Sequence, residues 1–275
     1  MLKRLIYISL IALTFFTGCS KEPWGSYIIP KDLLDEKERT DTTIIKVVSI
    51  GTIHTNAALP RFAEIIDSLD ADFVLAREVD HDNTRSGKGV KQGERIAVLA
   101  GMHHYFGGSQ VYNGGFYGLS LLSKYEIIDS SKVMFTGSRP VAAITVKYPN
   151  GKDFVFVGAQ FTDASTPAAA ATRIQHASLL LNITKNYLGP TVLAGNFWIE
   201  NPYEDPTMDI LYEQFDPGCL SCEFTQFPVN APFVVADHIM YKKSRRYEVR
   251  VKKYEVLPKS PTDRLVVYSE LEIIQ

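Results

Sequence analysis

Cysteine is scarce in this chain: three occur in 275 residues, at positions 19, 219 and 222. That excludes a disulfide-dense secreted scaffold. It also leaves the single close pair, Cys219 and Cys222 in Asp-Pro-Gly-Cys-Leu-Ser-Cys, without the second pair a four-ligand zinc site needs. Concentrated positive charge is missing too. The formal net charge is -2, and the only dense basic cluster is 242–246. A nucleic-acid binder carries wide basic stripes, so nucleic acid is not an expected partner, and 242–246 reads as a solvated hairpin turn. No apolar run approaches the roughly 20 residues that cross a bilayer as a helix. There is no internal repeat and no low-complexity break, so a solenoid or a beaded array is not expected.

What is present begins with an export pattern. Lys3 and Arg4 precede an apolar run from Leu5 to Phe16, followed by Thr17, Gly18 and Cys19. A basic start, a short apolar stretch and small residues describe a secretory signal. A cysteine directly after the small pair resembles the bacterial lipoprotein box, with Phe16 where that box usually has Leu. The expectation is a signal peptide over 1–18, lipidation at Cys19 and a polar tether over 19–42. The protein would then be exported and lipid-anchored to the bacterial cell envelope. An ordinary signal, or an uncleaved anchor with a chance cysteine, is the alternative. Outside the cytoplasm, Cys219 and Cys222 are expected to form a small disulfide loop.

Residues 43–275 read as one large domain of mixed character. Ile44–Ile50 is a β-branched run expected as a buried strand. Leu59, Phe62, Ile65, Ile66 and Leu69 follow at helical spacing, and Phe73–Leu75 is a second buried strand. Further strands are expected within 119–122, 141–148, 154–158, 191–194, 233–240, 247–256 and 265–274. The longest helix is expected over 168–187. His103 and His104 lack any helical metal-binding spacing and read as surface or loop. About ten strands exceed one comfortable open sheet.

Five blocks then resemble the endonuclease/exonuclease/phosphatase (DNase I-like) superfamily, in the right order. Residues 72–80, Asp-Phe-Val-Leu-Ala-Arg-Glu-Val-Asp, resemble its strand ending in Gln-Glu-Val-Asp. Residues 115–124 resemble its Gly-x-Tyr-Gly-Asn-x-Ile-Leu-Ser-Arg block, and Gly195-Asn196-Phe197-Trp198 resembles Gly-Asp-Phe-Asn. Ala236-Asp237-His238-Ile239 resembles its Asp-His/Tyr-Ile block, and Asp263-Arg264 stands where a terminal Asp-His falls. The resemblance implies an α+β fold, a four-layer αββα sandwich of two packed mixed β-sheets flanked by helices. It also implies phosphoric ester hydrolysis with Mg²⁺ or Mn²⁺, hard ions that prefer oxygen ligands.

Several positions depart from the family pattern. Glu78 keeps the metal-binding carboxylate, and Asp237 and Asp263 are retained. Arg77 stands for the preceding Gln, Gly51 for an early asparagine, and Gln160 for a histidine. Asn196 stands for the aspartate and Trp198 for the asparagine of Gly-Asp-Phe-Asn, and Arg264 for the final histidine. Asn196 cannot take a proton from water, and Arg264 cannot cycle between acid and base. A general acid or base contributes roughly 10²- to 10⁴-fold, so hydrolysis by the usual route is not expected. Glu78 either holds a weak metal or pairs with Arg77, Arg173 or Arg264. The primary expectation is a pseudo-enzyme with a cleft for a phosphorylated, sugar or protein ligand, lined by Arg77, Tyr117, Gln160 and Trp198. The alternatives are a hydrolase with a rebuilt site using Glu78, Asp237, Asp263 and Asn196, and a structural lipoprotein of an envelope complex.

Overall fold

Alternation along the strands decides the architecture. In β1 (Thr42–Gly51) and β2 (Phe73–His81), both faces are buried over most of the length. That is the pattern of strands covered on both sides. A computed structural model describes residues 41–52, 54–220, 228–232 and 234–275. The expected signal peptide, nearly all of the tether, Cys19 and Cys222 lie outside the described residues.

Among the described residues there are two six-stranded sheets. The remaining strands are β3 (His103–Tyr112), β4 (Gly115–Ser123), β5 (Ile127–Phe135), β6 (Arg139–Lys147), β7 (Asp153–Gln160), β8 (Thr191–Ile199), β9 (Phe215–Pro217), β10 (Val235–Lys242), β11 (Glu248–Val256) and β12 (Val267–Ile274). One sheet runs β11-β12-β1-β2-β4-β3 and the other β5-β6-β7-β8-β10-β9. Each is antiparallel except for one central parallel pair, β1 with β2 and β7 with β8. A parallel pair needs a crossover. The first is made by α1 (Leu59–Ser68) and the second by α3 (Pro167–Thr184). Two shorter helices, α2 (Gln92–Leu99) and α4 (Pro206–Leu211), complete the outer layers.

Side chains of the two inner faces form the central core. Ile45, Val47, Phe73, Leu75, Leu119 and Leu121 meet Ile144, Phe154, Phe156, Val192, Ala194 and Ile239. Outside the first sheet, Leu59, Phe62 and Ile66 of α1 and Ile96 of α2 cover Val48, Val74 and Leu122. Outside the second, Ala177, Leu180 and Leu181 of α3 and Leu211 of α4 cover Val157, Leu193 and Met240. The result is the four-layer αββα sandwich. Deleting a ring such as Phe62, fully buried at this outer interface, costs about 3–5 kcal/mol. Helix ends are set locally. Thr166 caps α3 through its side chain to the Ala169 amide (3.2 Å), and Asp205 caps α4 at Thr207 (2.8 Å).

The seam between the sheets is tied at one end by two tyrosines. Tyr148, following β6, donates to the Ile44 carbonyl of β1 (3.0 Å), and Tyr125, following β4, reaches the Tyr148 hydroxyl (3.2 Å).

Three local expectations are corrected. His103 is exposed, as the surface reading has it, but both histidines lie on strand β3 rather than in a loop, and His104 meets the Ser120 hydroxyl at 3.0 Å. Strands β3, β5 and β9 fall outside every expected strand. Residues 242–246 do not form a hairpin turn, because β10 and β11 belong to different sheets. Lys242 at its start is buried, and its ammonium donates to the carbonyls of Thr184 (2.6 Å), Lys185 (3.1 Å) and Tyr187 (2.7 Å). Cys219 is disulfide-bonded.

Candidate functional site

The inner-face rows change character at one end of the seam. With a side-chain period of two, Phe73 and Leu75 on β2 lead to Arg77, and Ile45 and Val47 on β1 lead to Gly51. Leu121 and Leu119 on β4 lead to Tyr117. On the other sheet, Phe154 and Phe156 lead to Gln160, Val192 and Ala194 to Asn196, and Ile239 back to Asp237. The hydrophobic members of these rows are core residues. Register holds the polar ends together: Gly51 lies opposite Arg77, Gln160 opposite Asn196, and Asn196 opposite Asp237. Five of the positions expected from sequence are thereby brought to one place, at the carboxyl ends of both parallel pairs. Open α/β sheets bind ligands outside that end.

Two irregularities aim the side chains. Glu78 has φ 59°, and the β2–β4 register shifts between Arg77 and Val79. The extra residue breaks the alternation that would otherwise send Arg77 and Glu78 to opposite faces. Thr52 pins this bulge, its amide donating to the Arg77 carbonyl (3.1 Å) and its hydroxyl to that of Glu78 (2.7 Å). Trp198 has φ 53° at a second register shift, between β8 and β10.

Arg77 is the centre of the site and is 1% exposed. Its guanidinium grips Asp237 with two contacts, Nη2 to Oδ2 at 2.7 Å and Nε to Oδ1 at 2.6 Å. Its Nη1 donates to Glu78 Oε1 at 2.7 Å. Arg264 Nε stands 3.6 Å from the same Glu78 oxygen, and its guanidinium lies 5.7 Å from the Trp198 ring. Burial alone would depress the Arg77 guanidinium, but Asp237 and Glu78 outweigh it and hold it well above its ordinary value. Burial pushes the Asp237 carboxyl up, against the pull of Arg77. Two cations and two carboxylates thus meet in one buried quartet.

Around this floor, burial pushes the Tyr117 hydroxyl up to about 12, with Gln160 of the other sheet pulling it back. His54, at φ 65°, meets the Tyr117 ring edge-on at 4.9 Å. Arg85 joins it, donating to both Asp80 oxygens (2.5 and 3.0 Å) and lying 4.3 Å over the Tyr112 ring. Asp80 stands out in the sequence only as the end of the first resemblance block. Two other expectations fall outside the quartet. The Asp263 side chain is 47% exposed, with only a 3.7 Å approach to Arg264. Arg173 pairs with no carboxylate at the site and donates to the Thr162 and Ala164 carbonyls.

A divalent metal does not fit these residues as they stand. Both buried carboxylates already face the Arg77 guanidinium, and a second cation touches Glu78. Among the described residues, no group of three or more His, Cys, Asp or Glu is placed to hold a metal ion.

No family profile matches the chain, and no curated protein is similar to it in sequence. Solved structures do match in shape. An endonuclease/exonuclease/phosphatase family protein from Bacteroides thetaiotaomicron superposes with TM-score 0.65 at 15% identity, covering 86% of this chain and 100% of that one. A mannosyl-6-phosphatase from the same organism gives 0.62 at 15%, covering 82% and 99%. The human Nocturnin catalytic domain with bound sulfate gives 0.60 at 16%, covering 85% and 97%. From β1 to β12, then, this chain has the endonuclease/exonuclease/phosphatase fold.

Proposed function

We propose that the protein is an envelope lipoprotein whose hydrolase-fold domain has lost the family's hydrolytic route and keeps its cleft for binding. The observation that carries this reading is the double engagement of Arg77. Its guanidinium ties up Glu78 and Asp237, the two buried acids that would otherwise serve the chemistry. Nearby, Asn196 cannot act as a general base, and Arg264 cannot exchange protons near neutral pH. Charge stabilisation by positioned donors is usually the largest catalytic term, and donors remain here without an acid–base partner. Arg264 beside the Trp198 ring offers a cation and an aromatic face, which suits a phosphorylated or sugar ligand. The mannosyl-6-phosphatase among the structural neighbours makes a phosphorylated sugar the first ligand class to try.

The test is hydrolysis of bis-(p-nitrophenyl) phosphate and of mannose 6-phosphate by the full-length chain, with Mg²⁺ or Mn²⁺ and with EDTA. The expected result is no EDTA-sensitive release above the protein-free control, alongside retained binding of the phosphosugar. EDTA-sensitive turnover abolished by Glu78→Ala would overturn the reading and establish a rebuilt hydrolytic site.

A further inference from the structure

We propose that the Arg77 guanidinium is an internal cation closing a latent divalent-metal site made by Glu78 and Asp237, and that Gly51 makes room for it. The inference deepens the proposed function and rests on it, by giving a physical cause for the lost route. Glu78 comes from the first sheet and Asp237 from the second, and both are buried. Two carboxylates converging on one dry point repel unless a cation lies between them. Arg77 supplies that cation from the same strand as Glu78, at 2.6–2.7 Å from both acids. Without the guanidinium, the same oxygens would face each other across the space it fills. A hard divalent ion that keeps several waters and takes one or two carboxylates suits such a gap. Asn196 is the register partner of Asp237, and Gln160 that of Asn196.

Gly51 is the matching half of the arrangement. A Cβ there would come within 2.9 Å of the Arg77 Cζ and Nη1 and 2.8 Å of the Arg264 Cγ. The atoms met first are two arginine side chains that are themselves held by Glu78 and Asp237, so they have little freedom to step aside. Thr262 fastens the backbone at this point, its hydroxyl donating to the Gly51 carbonyl at 2.8 Å. The strand end cannot easily retreat. Arg264 would remain near Glu78 after loss of Arg77, so the unmasked site is expected to bind metal only moderately.

The experiment is Mn²⁺ titration of the full-length chain, read by the paramagnetic resonance of free Mn²⁺ and by thermal midpoints with Mn²⁺ or EDTA. The natural protein is expected to show no saturable site and the same midpoint in both. Arg77→Gln is expected to have a lower midpoint in EDTA and to gain one Mn²⁺ site. At Mn²⁺ about a hundredfold above its dissociation constant, its midpoint should rise by about 5 °C. Adding Glu78→Gln should remove both effects. Saturable Mn²⁺ binding by the natural chain, lost in Glu78→Gln, overturns the inference, and so does a folded Arg77→Gln that binds none. Gly51→Ala tests the close approach without touching Arg77. A lowered midpoint is expected, and an unchanged one overturns the reciprocal fit. Metal-independent turnover would sink the proposed function and leave this inference standing. Mn²⁺ binding by the natural chain without turnover would do the reverse.

Discussion

Arg77 and Asp237 are separated by 160 positions in the sequence, and no local pattern announces that they touch. The motif resemblance pointed to both residues, and to Gly51, Gln160, Asn196, Trp198 and Arg264. It could not say that an arginine beside a retained glutamate would turn inward and occupy both acids. Asp263, from the same motif, is half exposed and lies outside the buried quartet. The buried pair has an energetic consequence at this scale. Removing one partner of a buried ion pair leaves an uncompensated charge and costs about 3–5 kcal/mol. Asp237→Ala should therefore lower the free energy of urea-induced unfolding by about that much. A loss below about 1 kcal/mol would mean that the pair is screened like a surface bridge.

At the scale of elements, strands buried on both faces were legible, and of the edge strands only β11 was. β1, β2 and β8 announce themselves as apolar runs because each is covered by a neighbour sheet and by helices. β5 is exposed along nearly its whole length, so its composition carries little periodic signal. β3 occupies the edge of the other sheet, and its paired histidines and glycines hid it further. The basic segment after β10 illustrates a related limit. Its charge suggested solvent, yet Lys242 closes the carboxyl end of α3 by donating to three carbonyls there. Such carbonyls have no partner within the helix, and a cation at that end also opposes the helix dipole. Lys242→Met keeps much of the stem's packing and removes the donors, so a destabilisation of about 1–3 kcal/mol is expected. Hydrogen exchange should show the loss concentrated in the last turn of α3. Uniform loss across the domain would contradict a capping role.

For the molecule as a whole, the resemblance gave the layers correctly, while periodicity alone reached no further than mixed α and β. Acid sensitivity is a property at this scale. Burial holds His238 at about 4 and His104 at about 4, well below the ordinary histidine value of 6.5. Both are neutral in the folded state and take up protons on unfolding. Their contribution is fully present above pH 6.5 and is lost as pH falls from 6.5 toward 4. For His238, which donates to the Val235 carbonyl at 3.0 Å and stacks on Phe197, the loss should reach on the order of 3 kcal/mol. Urea unfolding at pH 7.5 and pH 5 should show about 2 kcal/mol of this fall for each such histidine, and it should shrink in the double variant His104→Gln, His238→Gln. An identical fall in that variant would assign the acid sensitivity to carboxylates instead. The fastening of the two sheets has a mechanical meaning as well. Arg77 and Asp237 clasp the seam at one end, and the Tyr125–Tyr148–Ile44 chain clasps it at the other. A slab pinned at both ends cannot open like a book, so adjustment beside Arg77 falls to side chains rather than to a hinge between the sheets.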